Sequence, residues 1–214
     1  MKDIVIIGAG DFGKEVAWLI EDINKEKKEW NILGYIDDDE DIQDTEVNGN
    51  KVIGRIDSLI SMGIVYVCIG LGKPSTKEKI VARLKQFSNV HYANLIHPTV
   101  VVAPYVTFGE GNIVCARNVI APNANIKSFV TINLNCTIGH DVVLKDFVTV
   151  APGVNLSGFV TVGNNTDMGT NCCAVQGLKI GSNTVIGAGS VITKDIPDNC
   201  TAVGVPAKPI KFHT

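Results

Sequence analysis

The sequence predicts two unlike halves, an α/β nucleotide-binding unit followed by a parallel β-helix. Three observations carry the prediction. Short apolar runs alternate with helical patterns as far as about His91. A glycine-rich turn, GAGDFG, joins the first run to the first helical pattern. From Ile96 onward an apolar residue returns every six positions without interruption.

In the first half, the apolar run at 4–7 ends at glycine and reads as a buried strand. Val16, Leu19, Ile20 and Ile23 then fall at i, i+3, i+4 and i+7, the spacing of one helical face. Runs at 33–36 and 65–69 give further strands. Pro74, with Ser75 and Thr76, opens a second helix that carries Ile80, Leu84 and Phe87 on one face. Strand alternating with helix predicts a parallel sheet. The expected boundaries are 1–93 for this Rossmann-like unit and 94–214 for the repeat.

The repeat holds seventeen hexads, led by Ile96, Val102, Phe108 and so on to Ile192. Every leader except Ala174 is a large apolar residue. Glycine often comes next, as at Gly109, Gly139, Gly163, Gly169, Gly181 and Gly187, which suits a turn. A period of six cannot form a single stripe on a helix. Each hexad is therefore expected to supply one short strand and one corner, with its leading side chain pointing into the axis. Three hexads close a triangular coil, giving about six coils.

Composition narrows the function. The chain has 214 residues, a net charge of -3 and 19% charged residues. It contains no long basic run, which argues against nucleic acid and anionic membranes as partners. No apolar run at the start approaches the length of a signal peptide or membrane span, so a cytoplasmic protein is expected. Cys68, Cys115, Cys136, Cys172, Cys173 and Cys200 form no C-x-x-C pair and read as reduced core thiols.

The repeat resembles the left-handed β-helix of hexapeptide-repeat acyltransferases. The stretches IVIIGAGDFGKEV, GYIDDD, LIHPTVVVAPYVTFGEGN, TIGHDVVLKDFVTVAPGV, VIGAGSVITKDIP and VGVPAKPI run through the whole chain. Taken in that order, they make it similar to the sialic acid O-acetyltransferase and sugar N-acetyltransferase family. The resemblance implies left-handed coils, a homotrimer, and acetyl transfer from acetyl-CoA to an amino or hydroxyl group of a sugar.

Acetyl transfer needs a base for the acceptor's proton, and histidine titrates near working pH. The single histidine in the interior of the repeat is His140, followed by Asp141. A carboxylate beside a histidine fixes its tautomer and steadies the imidazolium. Neighbours on a straight strand point to opposite faces. The pair can cooperate only at a bend, and position three of a hexad lies near one. The resemblance implies the same roles, His140 as base and Asp141 as its support. Outside that motif, His140 would read as an ordinary surface residue on a turn. His97 reads as structural, and His91 and His213 stand in no motif. The three-histidine zinc site of some β-helices cannot be assembled here, so no metal is expected.

Gly8, Gly10 and Gly13 form a G-x-G-x-x-G between strand and helix, where backbone can approach phosphate. The acids of YIDDD follow where a ribose- or base-binding carboxylate falls in dinucleotide folds. The unit is about half a full dinucleotide fold, so a UDP-like head fits better than NAD. The resemblance assigns this region to the nucleotide-sugar: Asp37 and Asp38 for uridine and Lys14 for phosphate. The stretch IGLGKP at 69–74 is expected to line the same crevice.

For acetyl-CoA, the resemblance points to Asn133, Thr149, Gly158, Gly187 and Ala188, and to GVPAKP at 204–209. Two departures stand out. Thr149 replaces a histidine that lies near the acetyl group in many relatives, and Phe12 replaces the histidine of a G-H-G loop. The expected function is N-acetylation of a nucleotide-linked sugar. The alternatives are O-acetylation of sialic acid or another sugar hydroxyl and, in a different class, a non-catalytic nucleotide-sugar-binding protein.

Overall fold

The structure, a computed structural model, describes residues 1–213. It opens with β1 (Lys2–Ile7), α1 (Asp11–Glu26), β2 (Trp30–Ile36), β3 (Glu46–Val47), β4 (Asn50–Gly54), β5 (Val65–Ile69), α2 (Pro74–Leu84) and β6 (Val90–Tyr92). The strands lie in the order β3-β4-β2-β1-β5-β6. Four of the five neighbouring pairs are parallel, as expected. The fifth corrects the prediction of a wholly parallel sheet: β3 and β4 form an antiparallel hairpin. Its turn, Asn48–Gly49, has φ of 47° and 80°, the paired positive angles of a tight hairpin turn.

Helix α1 buries Val16, Ala17, Leu19 and Ile20 against the sheet. Helix α2 starts with Pro74 in its first turn and stops at Leu84, before the predicted Phe87, which is buried just past its end. Its buried face holds Lys77, Val81 and Leu84.

The first repeat strand begins at Leu95. With it there are seventeen two-residue strands, and each ends on a hexad leader. From Leu95 to Cys173 each strand pairs in parallel with the one eighteen residues later, as in Ile113↔Thr131 and Thr131↔Thr149, while the strand at Val185 pairs sixteen residues on with Thr201. Three hexads per coil build three walls. The first wall stacks the strands starting at Leu95, Ile113, Thr131, Thr149, Asp167 and Val185. It ends in Cys200–Val203 and the antiparallel Lys208–Phe212. The second wall stacks strands starting at Val101, Val119, Thr137, Asn155, Cys173 and Val191. The third stacks those at Thr107, Asn125, Val143, Thr161 and Lys179.

The leaders from Val114 to Ile192 fill the axis, each at most 2% exposed. Burying such a side chain contributes about 1.5–3 kcal/mol. In the uppermost coil Ile96 and Phe108 are only partly buried, and Val102 stays exposed. The hexad has a second inward position, the fifth, occupied by Ala124, Val130, Cys136, Val142, Val148, Val154, Val160 and Cys172. Two of the cysteines are thus axial packing residues, and all six are free thiols.

The corners also differ from expectation. The chain turns at the fourth position of the hexad, where Arg117, Asn123, Asn135, Asp141, Phe159 and Asn165 all have φ near +60°. Asn and Asp tolerate that left-handed conformation better than other side chains. Glycine at position two serves close packing instead. A β-carbon on Gly139 would stand 2.7 Å from the backbone nitrogen of Gly158 in the next coil.

The N-terminal unit covers the first wall and reaches round both of its edges. Lys77 Nζ donates to Phe129 O, Thr131 Oγ1 and Val148 O at 3.0–3.2 Å. Thr149 Oγ1 donates to Gly72 O at 2.7 Å. Asp22 meets His97 at 3.1 Å on the edge between the first and second walls. Asn165 donates to Glu78 at 2.9 Å on the edge between the third and first walls.

Candidate active site

His140 and Asp141 occupy positions three and four of their hexad, on the edge between the second and third walls. The left-handed turn at Asp141, φ 57°, lets neighbouring side chains lie on one side of the chain. His140 Nδ1 is 2.9 Å from Asp141 Oδ2, which leaves Nε2 free of the carboxylate. The imidazole is half exposed. It lies over Gly158, where a β-carbon would stand 2.4 Å from Nε2. The Phe159 ring meets it edge-on, with centroids 5.0 Å apart. The backbone of the next coil fixes the turn, since Phe159 N–H donates to His140 O at 2.9 Å. Phe159 escaped sequence reasoning, although it stands eighteen residues after Asp141 and so must sit beside it in the stack.

The glycine loop and the acids meet at a second place. Gly8, Asp37, Asp38, Ile56, Leu71 and Ile80 line a crevice of about 110 Å³ at the carboxyl ends of β1 and β2. Asp37 Oδ2 accepts the Ala9 N–H at 2.9 Å, tying the acid to the loop. Asp38 Oδ1 accepts the Ile56 N–H at 3.2 Å and Oδ2 takes the Arg83 guanidinium. Burial pushes the Asp38 carboxyl up, but Arg83 and the Ile56 N–H together outweigh it and hold the group below its usual range. The three glycines divide their work. Gly8 takes φ +99°, and Gly13 packs so closely that a β-carbon would stand 2.0 Å from Gly8 O. Gly10 faces open space, with nothing within 4 Å of a β-carbon. Lys14 is paired with Asp11 at 3.0 Å, and neither it, Gly10 nor Gly13 is part of the crevice wall.

Asn133 and Gly187 lie three coils apart on the edge between the first and second walls, with Ala151 and Gly169 between them. Ala188 is exposed beside Gly187. A column of small residues leaves an edge that a long thin cosubstrate can lie along. At Gly187 the chain itself takes part of that room, since a β-carbon would meet Val203 at 2.7 Å. Gly158 belongs to the next edge, beneath His140. Thr149 lies apart from this column. It is 8% exposed on the first wall, and its hydroxyl is spent on Gly72. It therefore ties the two halves of the chain together and does not face the edge that carries His140. His97 is buried and bonded to Asp22 and Thr99, as a structural histidine should be.

His140 and the crevice are not brought together within one chain. The N-terminal unit covers the first wall, and the edge bearing His140 is opposite it. Among the described residues no group of three or more His, Cys, Asp or Glu side chains gathers as a metal site. Among them, too, no helix is long and apolar enough to cross a membrane.

Comparison with known proteins agrees with this architecture. Residues 3–84 match the PglD N-terminal domain family. The acetyltransferase domain of PglB from Neisseria gonorrhoeae, solved with acetyl coenzyme A, is 32% identical with a TM-score of 0.88. That likeness covers 98% of this chain and 99% of the other. PerB from Caulobacter crescentus, a perosamine N-acetyltransferase solved with CoA and GDP-perosamine, is 28% identical. Its TM-score is 0.90, over 99% of this chain and 98% of that one. Galactoside O-acetyltransferase of Escherichia coli is 50% identical over 44 residues, which are 21% of this chain and 22% of that enzyme. The chain spans about a fifth of the length of the curated relatives it matches. With a relative at 32% identity along its full length and the same two-part fold, this chain belongs to the family of left-handed β-helix sugar acetyltransferases that carry a PglD-type N-terminal domain.

Proposed function

We propose that the protein transfers the acetyl group of acetyl-CoA to an amino group of a nucleotide-linked sugar, with His140 as general base. The observation that carries the reading is the His140–Asp141 pair at 2.9 Å on a corner of the β-helix. Asp141 accepts a hydrogen bond from Nδ1–H, so the lone pair of Nε2 is presented to the acceptor. As the acceptor nitrogen forms its bond to the acetyl carbon, Nε2 takes the proton that nitrogen loses. The carboxylate of Asp141 steadies the imidazolium, which returns the proton to the departing sulfur. Bound acetyl-CoA supplies an activated thioester, and Asn133, Gly187 and Ala188 give the edge along which it would lie.

The nucleotide end of the acceptor enters the crevice of Gly8, Asp37 and Asp38, beside Gly10. An amino acceptor is favoured by the full-length likeness to a perosamine N-acetyltransferase, whereas the galactoside O-acetyltransferase match is confined to 44 residues. Because His140 and the crevice lie on opposite sides of the chain, the working site is shared between copies in a cyclic trimer. The nucleotide is a UDP- or GDP-type head, and the reaction is cytoplasmic. Thiol release from acetyl-CoA, measured across UDP- and GDP-amino sugars, sialic acids and galactosides, tests the proposal. Release with a hydroxyl acceptor alone would overturn the amino assignment.

A further inference from the structure

The trimer of the preceding section needs a wall to close on, and the three walls are unequal. The first is covered by the N-terminal unit. The third presents Thr107, Asn125, Val143, Thr161 and Lys179 outward, a face polar at every strand but one. The second presents Val101 and Val119 to solvent at its upper end, 60% and 45% exposed, above Thr137 and Asn155. Three triangular prisms that turn their second walls toward a common axis must bring edges together. The edge between the first and second walls of one copy then faces the edge between the second and third walls of the next. Parallel prisms keep their coils level.

At the top of those edges stand two features that no chemistry described above uses. One is a cavity of about 520 Å³ lined by Trp18, Asp22, His97, Thr99, Arg117 and Leu134, among others. Trp18 is left 46% exposed there. The other is Tyr105, 84% exposed and held in a left-handed turn, φ 66°, on the opposite edge of the second wall. Thr99 and Tyr105 belong to the same coil. A neighbour at the same height therefore sets its Tyr105 opposite the cavity.

We propose that Tyr105 of each copy seats in the Trp18–His97–Arg117 cavity of the next. The ring buries against Trp18 and lies within reach of the Arg117 guanidinium, the aromatic and cationic company that tyrosines keep at interface centres. Tyr105 stands two coils above Asp141 on one edge, and Thr99 two coils above Asn135 on the other. Seating Tyr105 therefore sets the height at which His140 of one copy meets Asn133 of its neighbour. Tyr105 is a positioning residue for the shared site, and the inference rests on the trimer reading.

The test uses the full chain with Trp30→Phe, which leaves Trp18 as the only tryptophan. Tyr105→Ser should raise acrylamide quenching of Trp18 in the assembled protein. It should also weaken assembly about thirtyfold by sedimentation, the scale of an interface hot spot. Tyr105→Phe should restore both, since the ring rather than the hydroxyl fills the cavity. Independently, Thr99→Cys combined with Tyr105→Cys should oxidise to a covalent trimer, while each single variant does not. Unchanged Trp18 quenching and no cross-link in an intact trimer would overturn the Tyr105 contact and leave the trimer standing. A monomer at every concentration would overturn both.

Discussion

Gly158 lies directly beneath the imidazole of His140, with room for a hydrogen where a methyl would stand 2.4 Å from Nε2. The close approach is a consequence of the eighteen-residue coil, which stacks position 158 on position 140. Gly158→Ala must therefore displace the ring from its place over the corner. A base moved by about 1 Å can lose roughly 10²-fold in rate. The variant should fold, bind CoA as before, and turn over about 10²-fold more slowly. Unchanged kcat would show that the ring is not held in its working position by this contact.

His140→Ala should lower kcat by roughly 10²–10⁴, the usual worth of general base catalysis. Asp141→Asn keeps a hydrogen-bonding partner for Nδ1 but no longer favours its protonated form, so it should fall between wild type and His140→Ala. CoA affinity, measured by calorimetry, should change little in both, because the cosubstrate lies along the Asn133–Gly187 edge and is not anchored by the base. Wild-type turnover in His140→Ala would remove the histidine from the mechanism.

The six-residue period was visible in the sequence because the axis accepts only buried side chains, and a miss at any leader would leave a void. The column arithmetic is available with it, since position 158 follows position 140 by eighteen residues and so stacks on it. What the period could not show is which wall the N-terminal unit covers. All three walls have the same alternation, so nothing in the period marked Thr149 as the residue that bonds Gly72. Lys77 was missed for a different reason. A lysine in a short helix looks like a solvated residue, yet positions 77, 81 and 84 share one helical face, and Val81 and Leu84 are apolar. The β3–β4 hairpin had its signal in the Asn48–Gly49 turn, but the flanking strands are too short to show alternation.

Lys77 gives a pH-dependent prediction. Burial pushes its ammonium down to about 7, although Asp167 pulls the other way. The unfolded chain holds that proton up to an ordinary lysine value of about 10.4. Below pH 7 both states are charged, and the folded state bears the full cost of the buried charge. Between the two values the unfolded chain carries more protons, so this residue's contribution to stability rises with pH. Lys77→Met would leave Phe129 O, Thr131 Oγ1 and Val148 O without their donor. The variant should be less stable than wild type by about 1–3 kcal/mol near pH 9, with a smaller gap near pH 6. Urea denaturation at both pH values measures it, and a gap that shrinks with rising pH would contradict the sign.

A nucleotide-linked sugar, and not NAD, should raise the melting temperature, since only ligands that bind the native state stabilise it by mass action. Asp37→Ala removes the acceptor that holds the Ala9 N–H and should lose most of the shift. Asp38→Ala should lose it only partly, because that carboxylate is already engaged by Arg83 and Ile56. A larger shift with NAD than with UDP- or GDP-sugars would mean that the crevice accepts a full dinucleotide.

The separation of His140 from the crevice within one chain makes the shared site testable by complementation. Gly10→Val projects a side chain into open space at the crevice mouth, where the wild-type chain has nothing within 4 Å, so it should obstruct nucleotide without disturbing the fold. His140→Ala removes the base and leaves the crevice whole. Each variant alone should be inactive. The two are unfolded together, mixed equally and refolded. If every site takes its crevice from one chain and its base from the next, random assortment around a cyclic trimer restores both intact parts at about one junction in four. Activity should then return to about a quarter of wild type. If both parts come from one chain, every chain in the mixture carries a defect in its own site, and no trimer can recover whatever its composition. Mass measurement of the mixed trimers separates that result from a failure to mix. Silence in confirmed mixed trimers would reject the shared site, and the crevice of each chain would then have to reach His140 by a movement of its own N-terminal unit away from the first wall.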